Sequence, residues 1–221
     1  ETMTEKITSD FKNLKSFTEN AAHELQTPLA IISSKTELLL QDEKLGEEQT
    51  RQLMAIRQTT GRLSKLTQTL LLLTKIENNQ FPVSEPVDFS AAFNERLTEL
   101  KELMDMKLFS VTVAVLPAVK IKLHPALTDV LISNLLLNAI KYTQPGGTIN
   151  IELTAHTFTV KNTGEAAFEK PANIFDRFYK EHTGSDATGL GLALVKQIAV
   201  INGHDIVYRF AGNQHVFEYS F

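Results

Sequence analysis

Three residues near the start of the chain have types and spacing that could move a phosphoryl group: His23, Glu24 and Thr27. A neutral imidazole nitrogen is a nucleophile, and histidine is neutral for much of the time near pH 7. The neighbouring carboxylate of Glu24 can accept a proton from the ring as the other nitrogen attacks. The hydroxyl of Thr27 can orient water for the reverse hydrolysis. Their geometry follows from helical periodicity. With Leu25 at the centre of an apolar stripe, Thr18, Ala21, Leu29 and Ile32 fall within about 40° of it, and His23 points roughly 160° away, toward solvent. Thr27 lies about 40° from His23 on the same face. Pro28 removes a backbone donor and is expected to bend the helix just past the site. The alternative is an exposed histidine on a polar helix face with no role.

A second group of segments, far along the chain, could hold a nucleotide. Asn134 and Asn138 stand four apart in a helical stretch, so their amides share one face, with Lys141 and Tyr142 in the following turn. An amide oxygen is a hard ligand suited to Mg²⁺, and a lysine one turn away can face phosphate charge. Plain solvent-facing polar residues are the alternative. Asn162 and Gly164 end a strand, where the glycine permits close backbone approach and the amide can accept a hydrogen bond from an adenine amine; a simple strand-ending turn would look the same. Thr188, Gly189, Leu190, Gly191 and Leu192 open a helix, and glycines there let backbone donors reach phosphate oxygens at the positive end of the helix dipole. Between them, Phe175 and Phe178 flank Arg177 and precede Lys180, a set that reads as an anchored lid with its cations near phosphate, or as a small hydrophobic cluster under a long loop.

These residues need two kinds of scaffold. Through residue 78 the chain has one proline, Pro28, and two glycines, Gly46 and Gly61. Apolar residues recur at steps of three and four: Phe11, Leu14, Ala21, Leu25, Ile32 and Leu39, then Leu53, Ile56, Leu63, Leu66, Leu70 and Leu73. The spacing predicts two long helices joined by a turn near Asp42–Gln49. One such pair cannot close a core, and two pairs can, so a dimeric four-helix bundle is expected. The run Asn78, Asn79, Gln80, Phe81, Pro82 breaks the pattern. Beyond it, Asp88 reads as the N-cap of a helix to about Lys107. Strands are expected at Val111–Leu116, Val119–Leu123, Thr148–Leu153, Thr157–Lys161, Asp205–Phe210 and Val216–Phe221. Helices are expected from His124 to Tyr142 and from Gly189 to Asn202. This part is an α+β two-layer sandwich. The domains are therefore 1–78, a helical hairpin; 79–87, a linker; and 88–221, the sandwich.

Composition narrows the classes. The chain has 221 residues, 43% hydrophobic and 22% charged, and no cysteine, which excludes disulfides and thiolate-ligated metals. A net charge of -4 argues against nucleic acid as a partner. No apolar run approaches the roughly 20 residues of a membrane-spanning helix. The chain begins at Glu1 with helical periodicity almost at once, as expected of a piece of a longer protein.

In order, His23–Leu29 resembles the phosphoacceptor box of sensor histidine kinases, and the segments Asn134–Tyr142, Asn162–Gly164, Phe175–Lys180 and Gly189–Leu192 resemble the N, G1, F and G2 boxes of that family's ATP-binding domain. The resemblance spans nearly the whole chain. It implies a Bergerat-type ATP site like that of gyrase-like ATPases, a homodimer through the bundle, autophosphorylation of His23 from ATP, and transfer to an aspartate of a response regulator docked below His23. It also implies that Asn138 holds Mg²⁺, that Lys141 and Tyr142 face the nucleotide, and that Gly189 and Gly191 meet the phosphates. The sandwich is expected to swing on the linker, under a lid formed by residues 165–188. The parent protein is expected to be anchored in the inner membrane, with this portion cytoplasmic. Two residues depart from the family pattern: Asn162 stands in place of an aspartate, and Ala187 in place of a glycine. These leave two other readings open: an enzyme acting mainly as a phosphatase, and a silent nucleotide-binding scaffold.

Overall fold

The computed structural model describes residues 21, 24–42, 44–82, 85–180 and 188–221. The chain divides into two compact units, residues 1–78 and 79–221.

The first unit is a helical hairpin. Helix α1 covers residues 24–40 and continues through Pro28, and helix α2 covers Glu47–Glu77. The turn between them is closed at Gly46, whose N–H donates to the Gln49 side chain at 2.7 Å. Glu47 and Glu48 in the first turn and Lys75 in the last complement the helix dipole. Buried positions seven apart, Leu29 and Thr36 on α1 and Thr60 and Thr67 on α2, are joined near the end of α2 by Leu71, Leu73 and Ile76. The hydroxyls of Thr36 and Thr67 are satisfied locally, donating to the carbonyls of Ile32 (2.7 Å) and Leu63 (3.0 Å), so threonine can fill these positions without an unpaired polar atom. The stripe read from the sequence is covered only in part: Leu73 is buried and Leu53, Leu66 and Leu70 are half-buried, while Leu25 is 51% exposed, Ile32 44%, Leu39 53%, Ile56 46% and Leu63 46%. A single pair of helices can bury only one line of contact, and the rest remains in water.

Helix α2 ends at the C-cap Asn78, and Asn79 follows at φ 52°, a left-handed conformation that asparagine tolerates better than most residues. The second unit then forms two layers. One is a five-stranded sheet in the order β2 (Ser110–Val115), β4 (Thr148–Leu153), β5 (Thr157–Thr163), β7 (Gln214–Ser220), β6 (Asp205–Ala211). All neighbours are antiparallel except β2 and β4. That parallel pair requires a crossover, supplied by α4 (Pro125–Tyr142). A separate two-stranded ribbon joins β1 (Val87–Asp88) to β3 (Lys120–Ile121). The expected strand Val119–Leu123 thus shrinks to two residues outside the main sheet, because Leu123 turns away to lead into His124, which caps α4.

Helices α3 (Phe89–Met106), α4 and α5 (Gly191–Asn202) form the other layer. Asp88 caps α3 by accepting from Ala91 N at 2.9 Å, and His124 Nδ1 accepts from Ala126 N at 3.2 Å with Pro125 in the first turn of α4. Phe89 and Phe93 of α3 meet Phe158 of β5 edge to face. Inward residues alternate along the strands: Ile149, Ile151 and Leu153; Phe158, Val160 and Asn162; His215, Phe217 and Tyr219. The opposite sheet face carries ion pairs, Lys161–Glu152 and Arg209–Glu218, as a solvated face does. Gly212 and Asn213, at φ 59° and 57°, make the two-residue turn between β6 and β7. Among the described residues no helix is long and apolar enough to cross a membrane.

Candidate functional site

Three of the separately read segments of the second unit meet at the start of α5: the asparagine-bearing helix α4, the loop at Phe178 and the glycine pair. On α4, Asn134 and Asn138 are both half-buried, and the Asn134 amide donates to Val130 O at 2.7 Å, which fixes its oxygen outward. That oxygen meets the start of α5: a Cβ on Gly191 would lie 2.6 Å from Asn134 Oδ1, so no other residue fits there without displacing the amide. Among the described residues the Asn138 side chain makes no hydrogen bond, and its oxygen is open to a ligand. Lys141 and Tyr142 are exposed, with the ammonium 5.3 Å from the ring centroid.

The expected helix start moves. Helix α5 begins at Gly191 rather than Gly189. Gly189 has φ 72°, and a Cβ there would sit 2.7 Å from the carbonyl carbon of Phe178. Its job is to let the loop holding Phe178 lie against it, and Phe178 N donates to Gly189 O at 2.8 Å. The N-cap position, Leu190, has no side-chain hydrogen bond and is wholly buried, so no side chain of that residue covers the first N–H groups of α5. That suits phosphate oxygens. Thr188, Gly189, Gly191 and Leu192 are all half-buried around this point.

The loop between β5 and α5 also differs in detail from expectation. Phe178 is 53% exposed and Ile174 is 3% exposed, so the aliphatic side chain, not that ring, is the deep anchor. A short 3-10 turn at Pro171–Asn173 leads into it. Phe178 itself has φ 65°, a strained conformation for a bulky residue, held by its bond to Gly189. Arg177 is exposed and Lys180 half-buried.

The remaining segment, at Asn162 and Gly164, is tied to the turn that follows α4. Asn162 is 1% exposed, and its amide nitrogen donates to Thr163 O at 3.3 Å. Thr148 N donates to Thr163 Oγ1 at 2.9 Å, and Gln144 donates to Glu165 at 2.5 Å. The sequence did not point to these ties, nor to His215, which lies directly opposite Asn162 in the β5–β7 register. The alternation of His215, Phe217 and Tyr219 was the available signal, since a period of two extends the strand back past Val216.

Titration shifts fall on other residues: the hydrogen bond from Lys196 lowers the Asp205 carboxyl. Burial lowers the His204 imidazole and raises the Tyr219 phenol; these two groups hydrogen-bond to each other at 2.8 Å, at the opposite end of β7 from His215. On the hairpin, Glu24 and Thr27 are exposed. His23 lies outside the described residues, as does Ala187. Among the described residues no cluster of three or more His, Asp or Glu side chains could hold a metal, so Asn138 is one candidate ligand, and phosphate oxygens and water would have to complete a Mg²⁺ shell.

Residues 13–79 match the family described as His Kinase A (phospho-acceptor) domain, and residues 125–216 match the histidine kinase-, DNA gyrase B- and HSP90-like ATPases. The chain is 33% identical over 198 residues to the phosphate regulon sensor protein PhoR of Pseudomonas aeruginosa, covering 84% of this chain and 44% of that protein. It is 31% identical over 208 residues to the heme sensor protein HssS of Staphylococcus aureus, covering 90% and 44%. The chain therefore spans under half the length of these relatives. Among solved structures, full-length ShkA in complex with AMPPNP aligns with a TM-score of 0.73 at 23% identity over 93% of this chain and 45% of that one. Histidine kinase AdeS of Acinetobacter baumannii aligns with a TM-score of 0.57 at 23% identity, over 90% and 96%. At these identities the two structures speak to the fold alone.

Proposed function

We propose that this chain, which belongs to the sensor histidine kinases, takes the γ-phosphoryl group of ATP onto His23 and hands it to an aspartate of a response regulator. The observation that carries this reading is the convergence, in the second unit, of Asn134 against Gly191, Gly189 against Phe178, and Asn162 beneath the turn tied by Thr163 and Glu165. Asn134 and Gly191, 57 apart in sequence, have no local reason to meet at a helix start that lacks a side-chain cap.

In this reading Asn162 Oδ1 accepts from the adenine amine. The first N–H groups of α5 hold phosphate oxygens, and Lys141 with Arg177 or Lys180 balances their charge. Asn138 holds Mg²⁺ when it is bound, and the ion supplies neutralisation of the phosphate charge. A ring nitrogen of His23 forms a bond to the γ-phosphorus as the bond to the ADP oxygen breaks, and Glu24 receives the proton from the other ring nitrogen. Thr27 orients water for hydrolysis of the product. Two exposed apolar residues, Ile31 and Leu38, follow Thr27 at steps of four and seven and so share its face; they would give a response regulator apolar contact beside the histidine. The uncovered line Leu25, Ile32, Leu39, Ile56 and Leu63 is the surface on which a second copy completes a four-helix bundle. The reading further takes the parent protein to be anchored in the inner membrane with this portion cytoplasmic, and likeness to proteins named as sensors supports it.

The test is phosphate mapping. After incubation with labelled ATP and Mg²⁺, an acid-labile, base-stable phosphate should appear on His23, and His23→Gln should abolish it. Undiminished label on that variant would refute the assignment.

A further inference from the structure

We propose that His215 is a positioning residue for the nucleotide site: its ring is the peg around which the turn at Asn162–Gly164 is held. The inference rests on the nucleotide reading given above. It starts from a contact that has no place in the motif set. Nε2 and Cδ2 of His215 lie 2.2 and 2.3 Å from where a Cβ of Gly164 would be, so the ring occupies the space that a side chain at residue 164 would need. In register, His215 is the cross-strand partner of Asn162, the buried amide assigned to adenine above.

The ring is not free to give way. Its Nδ1 hydrogen-bonds the Tyr208 hydroxyl at 2.8 Å. One face stacks on Phe168, centroid to centroid 4.6 Å with 25° between planes. Phe210 approaches at 5.1 Å, and only 7% of the residue is exposed. The chain leaving β5 therefore passes Gly164 at the ring's edge and folds back within four residues to place Phe168 on its face. Gly164 is also held from behind, its N–H donating to Asn213 O at 2.9 Å. A planar, pinned side chain at this place sets the path of residues 162–168, and with it the direction of the Asn162 amide. Preorganising a binding turn raises affinity by removing its ordering cost from the binding event. Segments at the phosphate end, Gly189 and Gly191, contact Phe178, Tyr179 and Asn134 instead. His215 should thus affect how well ATP is held and not how fast its phosphoryl group is transferred.

The experiment uses the whole chain with ATP·Mg²⁺, measuring the dissociation constant by calorimetry and KM and kcat for autophosphorylation. His215→Ala should raise KM and the dissociation constant about tenfold with kcat within about twofold, the signature of lost ground-state binding. His215→Phe keeps a flat ring between Gly164 and Phe168 and should recover most of this, to within about threefold of the parent. Tyr208→Phe removes only the hydroxyl that orients Nδ1 and should also cost about threefold. If His215→Ala does not fold, the latter two variants decide. Unchanged affinity in His215→Ala or in Tyr208→Phe would overturn the inference, as would equal falls in kcat and kcat/KM, or a His215→Phe variant no better than alanine. A parent chain that binds no ATP would sink the nucleotide reading and this inference together; a parent that binds while the variants match it would sink this inference alone.

Discussion

Two asparagines illustrate how burial separates roles that residue type leaves equal. Asn162 is 1% exposed with its nitrogen engaged by Thr163 O, so its oxygen is the group left to meet a ligand. Its amide is neutral, and a neutral hydrogen bond is worth about 1 kcal/mol against roughly 1.5–3 for one to a charged group. Asn138 is half-buried and bonds to nothing among the described residues. If it ligates Mg²⁺, its loss should be visible only when the metal is present. We expect the parent chain to bind ATP at least about tenfold more tightly with Mg²⁺ than with a chelator, and Asn138→Ala to abolish that difference. Paired calorimetric titrations check this, and a metal effect that survives in the variant would remove Asn138 from the ligand set.

The element that matters most is the start of α5. Its two glycines looked equivalent as a Gly-x-Gly pair, yet they do different things. Gly189 stays outside the helix at φ 72° and carries the loop, and Gly191 opens the helix against Asn134. Alanine is a better helix former than glycine by up to about 1 kcal/mol in a helix interior, but residue 191 is the first of α5 and its Cβ must push the Asn134 amide aside, so Gly191→Ala should leave the melting temperature close to the parent's. The same Cβ would meet Asn134 Oδ1 at 2.6 Å and narrow the approach to the uncapped N–H groups. ATP affinity is expected to fall about tenfold in a variant that still melts close to the parent. Thermal melts beside titrations test it, and parallel loss of both properties would show a folding defect instead. The two helices that precede it were legible because their caps are chemical: Asp88 before α3, and His124 with Pro125 before α4. The strand at Val119–Leu123 was not, since an apolar run says nothing about whether a partner is within reach, and only Val87–Asp88 is.

At the scale of the molecule, the first unit leaves a long apolar line in water. Leu25, Ile32, Leu39, Ile56 and Leu63 are each between 44% and 53% exposed. Burying such a line against a second hairpin is the hydrophobic gain that a lone pair of helices cannot reach. Placing a charge there should oppose it, because an unpaired ion in an apolar interface is costly. The double variant Ile32→Glu, Leu63→Glu is expected to weaken dimerisation by at least about a hundredfold, giving a monomer in sedimentation at micromolar concentration. A persistent dimer would mean that the copies meet elsewhere.

Periodicity, caps and turn residues are local, and they were enough to establish from the amino-acid order a helical hairpin followed by an α+β unit, and to mark His23, the paired asparagines and the glycine segments as chemistry. Which of these residues meet was decided only in three dimensions. The gap between Asn134 and Gly191, the loop bound to Gly189, the depth of Asn162 and the wedge of His215 against Gly164 all depend on the order β2-β4-β5-β7-β6 and on how α4 and α5 pack over it. Contacts between residues tens of positions apart are set by packing of the folded chain, and no local pattern encodes that packing.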